Sequence, residues 1–311
     1  MSITTPTEWR ITRHQFLGDA DVAQNATDMA LDRGFLFTPK RAPLALPDGT
    51  IPATSKGRPL FYSVYREMPD GSQRLLNPAV GEGFAISGYE LLTQTVDALF
   101  PESTIDMKLI EDGRRIMIRV RPSNPVTIHN DDRLSMEILF VASLDNGWKT
   151  AAYGTTYRYY CANQMRLSDI AFGVKRTRNH DGLLFNRSLI MARATEQFAE
   201  FADRARYLRT CEMDRRTYVW MMEQLMPRPK GKDGKEPHGR AIAAWEKRRA
   251  GVDYFWNVEL DRVGMNGWAL VQAIQSYEFH TKTKEDVRRQ VDHIIDPAKH
   301  EPLTRRVLQM I

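Results

Sequence analysis

The stretch from Ile105 to Arg121 reads IDMKLIEDGRRIMIRVR, and its alternation decides the fold. Apolar and polar residues alternate up to a Glu-Asp-Gly turn at 111–113, and the alternation resumes after it. Period-two alternation on both sides of a tight turn is typical of an antiparallel hairpin. The second strand should carry two sets of side chains on opposite faces: Ile116, Ile118 and Val120 on one, and Arg115, Met117, Arg119 and Arg121 on the other.

The same pattern continues on both sides of this hairpin. Residues 134–144 are almost all apolar, which predicts a central strand, and the Asn146-Gly147 turn leads into a further strand over 148–160. Upstream, the turn at 69–71 joins two strands within 60–76. Consecutive hairpins build an antiparallel sheet, because parallel strands would need long crossover connections.

Helical periodicity surrounds the strands. A helix is predicted over 88–100, ended by Pro101, and a long amphipathic helix over 186–208. The remaining predicted helices are a short one within 19–31 and five after the long helix, at 214–225, 240–250, 266–280, 284–295 and 303–310. The predicted fold class is therefore α+β: an antiparallel β-meander with a preceding helix, a long following helix and a helical C-terminal half.

Composition along the chain suggests three parts. Residues 38–59 are rich in Pro, Gly, Lys and Arg, which favours turns and extended backbone over packed elements. We predict an extended N-terminal arm over 1–58, an α+β core with the antiparallel sheet over 59–209, and a helical C-terminal region over 210–311.

The whole chain has the composition of a globular protein. It has 311 residues, of which 42% are hydrophobic and 27% charged. No window approaches the apolar length of a membrane span, and the N-terminal residues lack the apolar core of a signal peptide. Cys161 and Cys211 form neither a zinc motif nor a disulfide framework. We predict a cytoplasmic protein without a cofactor.

Positive charge is concentrated in residues 148–193. This segment holds eight Lys or Arg and two Asp, a net charge of +6, whereas the whole chain carries +5. A basic segment interleaved with aromatic residues is typical of a nucleic-acid surface, and a solvated charged face is the alternative. The candidate phosphate contacts are Lys175, Arg176, Arg178, Arg187 and Arg193, with Arg158 and Arg166 before them and Arg115, Arg119 and Arg121 as a second basic wall.

Tyrosines follow the same strand. Alternation places Tyr153, Tyr157 and Tyr159 on one face and Arg158 with Tyr160 on the other. An exposed tyrosine can stack on a base, and a buried one fills the core. Tyr160, beside Arg158, is the preferred candidate for stacking.

Catalytic patterns are weaker. No GxxxxGK[ST] loop, GxGxxG or HExxH occurs. The pairs Asp131-Asp132 and Glu111-Asp112 fit either a two-metal nuclease or ordinary turns, and His180-Asp181 fits a turn. Cys161 can be a small buried residue, or a nucleophile with His180 or His280 as its base. The sequence therefore favours a binding role without covalent chemistry.

Two blocks carry a family resemblance. The segment SLDNGWKTAAYGTTYRYYCANQM, residues 143–165, and the segment GMNGWALVQAIQSYEFH, residues 264–280, resemble signatures of the phage/plasmid-like protein family that contains the domain of unknown function 932. Tyr159-Tyr160, Gln164 and Gln272 depart from the usual residues. The matching positions are Ser143, Asp145, Gly147, Arg158, Cys161, Asn163 and Met165 in the first block, and Gly264, Trp268, Ala273, Tyr277 and His280 in the second.

The resemblance implies a phage- or plasmid-encoded protein acting in the host cytoplasm. The order of helix, meander and long basic helix is also similar in topology to the Rad52-type single-strand annealing proteins. From both we expect an oligomeric protein that binds nucleic acid, with single-stranded DNA favoured, in recombination or replication. The alternatives are an interaction factor that acts on a host protein, such as a counter-defence factor, and a metal-dependent nuclease.

Overall fold

The computed structural model describes residues 25–101, 103–122, 125–130, 132–159, 164–166, 172–174, 187–231, 236–283 and 286–310. Its centre is an antiparallel sheet of seven strands in the order β10-β8-β7-β5-β4, with β6 on β7 and β9 on β8. The strands are β4 (Thr104–Ile110), β5 (Arg115–Arg121), β6 (Val126–His129), β7 (Asp132–Ser143), β8 (Thr150–Arg158), β9 (Gln164–Arg166) and β10 (Phe172–Val174). The predicted α+β class and meander are confirmed.

The turns of the meander explain its register. Gly113 has a φ of 101° at the β4–β5 turn, and Asn146 has a φ of 61° at the β7–β8 turn. Glycine and asparagine tolerate this left-handed region better than other residues. Ile118 of β5 pairs with Phe140 of β7, and Phe140 pairs with Ala152 of β8. Strand β7 therefore lies between β5 and β8, at the centre of the sheet.

The two faces of the seven-stranded sheet are covered differently. Face A, which includes Ile118, Phe140 and Ala152, shares one hydrophobic cluster with Val96 of α2 (Glu90–Leu99), Phe198 of α3 (Arg187–Thr210) and Trp268 of α6 (Gly267–Thr283). Face B, which includes Met117, Leu139 and Tyr153, forms a smaller cluster with Val291 and Ile294 of α7 (Val287–Ile295). The alternating pattern of β5 thus separates two different interiors.

A second sheet precedes the meander. Its order is β1 (Lys40–Pro43), β2 (Phe61–Glu67) and β3 (Gln73–Gly81), all antiparallel. Lys40–Pro43 lies within the segment that the sequence predicts to be an extended arm, and its backbone pairs with β2. Asn77 donates from Nδ2 to the carbonyl oxygen of Leu144 over 2.9 Å, so β3 is anchored to the β7–β8 turn.

The C-terminal half is helical, as predicted. Besides α3, α6 and α7 it contains α4 (Arg215–Leu225), α5 (Gly239–Val263), α8 (Pro297–His300) and α9 (Pro302–Met310), and α1 (Ala26–Asp32) lies near the start of the described chain. The boundary predicted for α5 at Ala250 is wrong, because Val252, Phe255 and Trp256 continue its buried face, which ends at Val263. Among the described residues, no helix has the length and apolarity needed to cross a membrane.

Candidate nucleic-acid interface

The last residue of β8, Arg158, and the residue that follows it, Tyr159, have opposite surroundings. Arg158 is 1% exposed, whereas Tyr159 is 37% exposed. Successive side chains of a strand point to opposite sides of the sheet, so Arg158 lies on face A and Tyr159 lies on face B. The Tyr159 amide donates to the carbonyl oxygen of Arg133 over 3.1 Å, which extends the β7–β8 pairing by one further bond.

Arg158 is the centre of a buried ionic cluster. Its Nε donates to Oδ1 of Asp132 over 2.7 Å and its Nη2 to Oδ2 over 2.9 Å, a bidentate pair within the sheet. Its Nη1 donates to Glu259 of α5 over 2.8 Å and to Gln272 of α6 over 3.3 Å. Trp268 completes the cluster by donating from Nε1 to Oδ2 of Asp132 over 3.0 Å.

This cluster joins the sheet to the helices. Asp132 and Glu259 are 2% and 1% exposed, so both carboxylates depend on protein donors instead of water. Removing one member of such a network leaves a buried charge without compensation. In this fold Arg158 is therefore a structural residue, and the expected phosphate contact has no path to solvent. Asp132 begins strand β7 instead of occupying a loop, which places it in the same cluster.

Two further arginines of the predicted basic wall are also buried. Arg119 is 4% exposed, and burial lowers the pKa of its guanidinium, an effect that Glu137 and Asp106 oppose. Burial likewise raises the pKa of the Asp106 carboxyl, against the effect of Arg119. These opposite charges face each other within the protein, so Arg119 contributes to the interior of face B.

Arg115 fixes the turn at the other end of β7. Its Nη2 lies 2.8 Å from Oδ2 of Asp145, and its guanidinium lies 5.0 Å from the centroid of the Trp148 ring. A Cβ at Gly147 would approach Arg115 Nη2 to 2.3 Å, so glycine leaves the space that the ion pair occupies. Two family-signature residues, Asp145 and Gly147, thus hold a buried arginine.

A more exposed group of side chains lies where β5 and β8 end and β7 begins. The guanidinium of Arg121 lies 4.7 Å from the centroid of the Tyr157 ring and 5.6 Å from that of Tyr159. The guanidinium of Arg133 lies 5.1 Å from the Tyr159 centroid. Tyr157 and Tyr159 meet edge to face at 5.3 Å. We call Arg121, Arg133 and Tyr159 the tyrosine platform.

The platform is held from beneath. Nε of Arg121 lies 2.7 Å from Oε1 of Glu137, which is fully buried, and their strands pair in register through neighbouring residues. Tyr157 is 8% exposed and supports the more exposed Tyr159. Such contacts limit the rotamers of Arg121 and Tyr159, so the platform offers a prearranged ring and two cations.

The remaining predicted phosphate contacts lie on other elements. Arg193 is exposed on α3, the backbone of Arg166 pairs with Thr155, and Arg187 is the first residue of α3. Val174, the last described residue of β10, pairs with Thr150, which is nine residues or about 30 Å along β8 from Tyr159. The residues with a predicted role that lie outside the described residues are Tyr160, Cys161, Asn163, Lys175, Arg176, Arg178, His180, Asp181 and Asp131.

Sequence reasoning missed Arg133 and chose Tyr160 over Tyr159. The predicted strand begins at residue 134, whereas β7 begins at Asp132, so the prediction leaves Arg133 outside the strand. Extending the alternation back from Glu137 by four residues would have placed Arg133 on the same face as the tyrosines.

No group of three metal-ligating side chains converges among the residues that the structure describes. Glu111 and Asp112, predicted as a turn or a metal pair, form a 3-10 turn in which Glu111 makes ion pairs with Arg115 and Arg288. The Glu111 carboxylate is therefore used in structural contacts.

Comparison with known proteins gives one result. Residues 81–301 match the sequence model described as Domain of unknown function (DUF932), and this is more than two thirds of the chain. The chain therefore belongs to this family. No curated protein and no solved structure matches it.

Proposed function

We propose that this member of the DUF932 family binds nucleic acid without covalent chemistry, and that single-stranded DNA is its preferred ligand. The tyrosine platform carries the proposal: a ring that is 37% exposed, with guanidinium groups 5.1 and 5.6 Å from its centroid. The ring offers a surface for a base, and the two arginines offer cations for the adjoining phosphates.

Stacking on Tyr159 favours a single strand for a physical reason. In a duplex the bases are already stacked on each other, and a protein ring can reach one only after it has been unstacked. In a single strand the face of a base is accessible, and stacking it on an aromatic side chain is worth about 1–3 kcal/mol. Every base has such a face, so we expect little sequence preference.

Charge supports the same ligand class. Residues 148–193 carry a net charge of +6, and Arg193 is exposed on α3. We propose that Lys175, Arg176 and Arg178 add phosphate contacts, since they lie in the same basic segment. Arg121 has a buried carboxylate partner, so the exposed Arg133 supplies more of the platform's uncompensated positive charge.

The biological setting follows from the family resemblance. We propose a phage- or plasmid-encoded protein that acts in the host cytoplasm during recombination, annealing or replication, in the manner of Rad52-type proteins. We also propose a homo-oligomer, because strand edges such as that of β4, which pairs with β5 alone among the described strands, suit pairing with a second copy.

Fluorescence anisotropy with labelled single-stranded and duplex oligonucleotides over a salt series tests this proposal. We expect micromolar or tighter binding of the single strand at low salt, weaker binding of the duplex, and a log–log salt slope of about −0.7 per phosphate contact. An absence of micromolar binding at low salt would reject the proposal. Cleavage of either DNA with Mg²⁺ or Mn²⁺ would favour the nuclease alternative.

A protein partner is the second candidate, and one observation favours it. Apolar side chains are exposed around the strands and loops of the N-terminal sheet: Leu44, Leu46, Ile51, Leu60, Phe61 and Leu75. Exposed apolar patches mark interaction sites in many proteins. If the chain binds no nucleic acid, a stable complex with a host protein that Phe61→Asp disrupts would support this function.

A further inference from the structure

The two halves of helix α5 have different surroundings. Between Gly251 and Val263 its buried residues pack into the core, whereas from Gly239 to Ala250 every residue is exposed or half-buried. Trp245 tethers the exposed half by donating from Nε1 to the carbonyl oxygen of Met226 over 2.9 Å. The first three turns of α5 therefore form an accessible helix on the protein surface.

Basic residues occupy one side of this exposed half. Arg240, Lys247 and Arg248 are all exposed and are spaced i, i+7 and i+8, which places them within an arc of about 100° around the helix. Ala244 lies between them at i+4, and Glu246 lies on the opposite side. We call Arg240, Lys247 and Arg248 the α5 stripe.

The positive charge extends beyond the helix. Arg228 and Lys230 are exposed just after Met226, and the Trp245 bond brings Met226 to the side of α5. Residues 227–249 hold eight Lys or Arg and three Asp or Glu, a net charge of +5. With +6 in residues 148–193, the rest of the chain carries −6, so positive charge is concentrated in two segments.

The α5 stripe and the tyrosine platform are separate surfaces. Helix α5 extends from the stripe to the buried cluster around Arg158. Glu259 of α5 contacts Arg158, the residue before Tyr159. Arg248 and Arg240 lie 11 and 19 residues before Glu259, which at 1.5 Å per residue corresponds to about 17 and 29 Å along the helix axis. A short oligonucleotide on the platform would therefore not reach the whole stripe.

We propose that the α5 stripe is a second contact for the phosphate backbone of a single strand that is longer than the tyrosine platform can hold. The inference rests on the proposed function. The stripe offers guanidinium and ammonium groups, while Trp245 is half-buried and its indole N–H is engaged, so it binds phosphates and does not stack bases. Arg240 and Lys247 lie about 10 Å apart along the axis, a distance that about three stacked nucleotides span.

The test compares two charge reversals over a series of strand lengths. R240E/R248E removes two stripe cations, and K56E/R74E makes the same change in net charge at exposed residues of the N-terminal sheet region. Oligothymidylates of about 4, 8, 16 and 32 nucleotides are titrated by anisotropy, covering the footprints of known single-strand binders. Equal melting temperatures of the three proteins confirm that the variants are folded.

We expect R240E/R248E to bind the longest strand at least about tenfold more weakly than the control does, with a salt slope smaller by about 1.4, and to bind the shortest strand equally well. Equal affinities of the two variants at all lengths would overturn the inference. So would an equal loss at all lengths, because the stripe would then belong to the short site. If the wild type binds no strand of any length, the proposed function itself fails, which is a separate outcome.

Discussion

Arg158 is the last residue of β8 and Tyr159 follows it directly, yet their surroundings are opposite. Arg158 is 1% exposed and bound to Asp132 and Glu259, whereas Tyr159 is 37% exposed and has two guanidinium groups within 5.6 Å of its ring centroid. The comparison shows that a basic, aromatic segment is not a binding surface as a whole. Whether a residue of this segment is buried or exposed depends on the face of the sheet to which its side chain points and on what covers that face.

The same division sorts the other arginines of the meander. Arg115 and Arg119 are buried like Arg158, with carboxylates nearby, while Arg133 is exposed like Tyr159. Arg121 lies at the boundary, since it both pairs with buried Glu137 and faces the tyrosine rings. Substitutions in the first group should therefore change stability, and substitutions in the second should change binding.

The largest effect is expected at Arg158. Replacement by alanine leaves Asp132 and Glu259 buried without their shared cation, and breaking a buried pair in this way costs about 3–5 kcal/mol of unfolding free energy. Arg158→Lys should recover only part of the loss, because an ammonium group cannot reproduce the bidentate pair with Asp132. Urea unfolding measures both variants.

Arg133→Ala is the matched control for that measurement, since it removes an exposed guanidinium from the neighbouring strand; its unfolding free energy should remain within about 0.5 kcal/mol of the wild type. An Arg158→Ala variant that is as stable as wild type but binds DNA poorly would reverse the roles assigned to the two faces.

Tyr159→Ala should act on binding instead. Loss of the stacking ring should weaken single-strand binding by about 1–3 kcal/mol, as measured by anisotropy. Tyr159→Phe keeps the ring and should keep the affinity, which separates stacking from a hydrogen bond of the hydroxyl. Unfolding free energy should change little in Tyr159→Phe. Unchanged affinity of Tyr159→Ala would remove the platform as the site.

The sequence was sufficient to predict the strands, because alternation and turn residues are local signals. It also placed Tyr153, Tyr157 and Tyr159 together on the face opposite Arg158. It was not sufficient to predict the burial of Arg158, because Glu259 lies 101 positions and Gln272 114 positions further along the chain. Only the packing of α5 and α6 on face A brings these partners to β8.

The choice of Tyr160 over Tyr159 had the same origin. The sequence favours Tyr160 because it neighbours Arg158, a candidate phosphate contact. Because Arg158 is buried, that reason no longer holds, and Tyr159, which is 37% exposed, lies beside the guanidinium groups of Arg121 and Arg133. A long-range contact that local sequence patterns do not reveal therefore moves the candidate for base stacking from Tyr160, which lies outside the described residues, to Tyr159.

Asp145 gives a smaller effect that depends on pH. Burial alone would raise the pKa of this carboxyl, but hydrogen bonds from Arg115 and from the Gly147 amide outweigh burial and hold the pKa below its ordinary value. The resulting stability is complete above the unfolded pKa, about 3.9, and is lost as the pH falls through the lower folded pKa.

Asp145→Asn should therefore lower the unfolding free energy by about 1 kcal/mol at neutral pH, and the difference from wild type should shrink in acid. Urea unfolding between about pH 2 and pH 7 measures both curves. Parallel curves over this range would show that Arg115 does not stabilise the ionised carboxylate, and would remove it from the group of structural arginines.

The smallest effect is expected at Arg133. Its exposed guanidinium lies 5.1 Å from the Tyr159 ring centroid, and a cation–π contact at an exposed site is worth about 0.5–1 kcal/mol. Arg133→Gln should reduce single-strand affinity by about that amount and reduce the salt slope by about 0.7 if the guanidinium also contacts one phosphate. In Tyr159→Ala the ring is absent, so adding Arg133→Gln should lose only the phosphate part. Equal losses in both backgrounds would show that Arg133 binds the strand independently of Tyr159, and the platform would then be two separate contacts instead of one prearranged site.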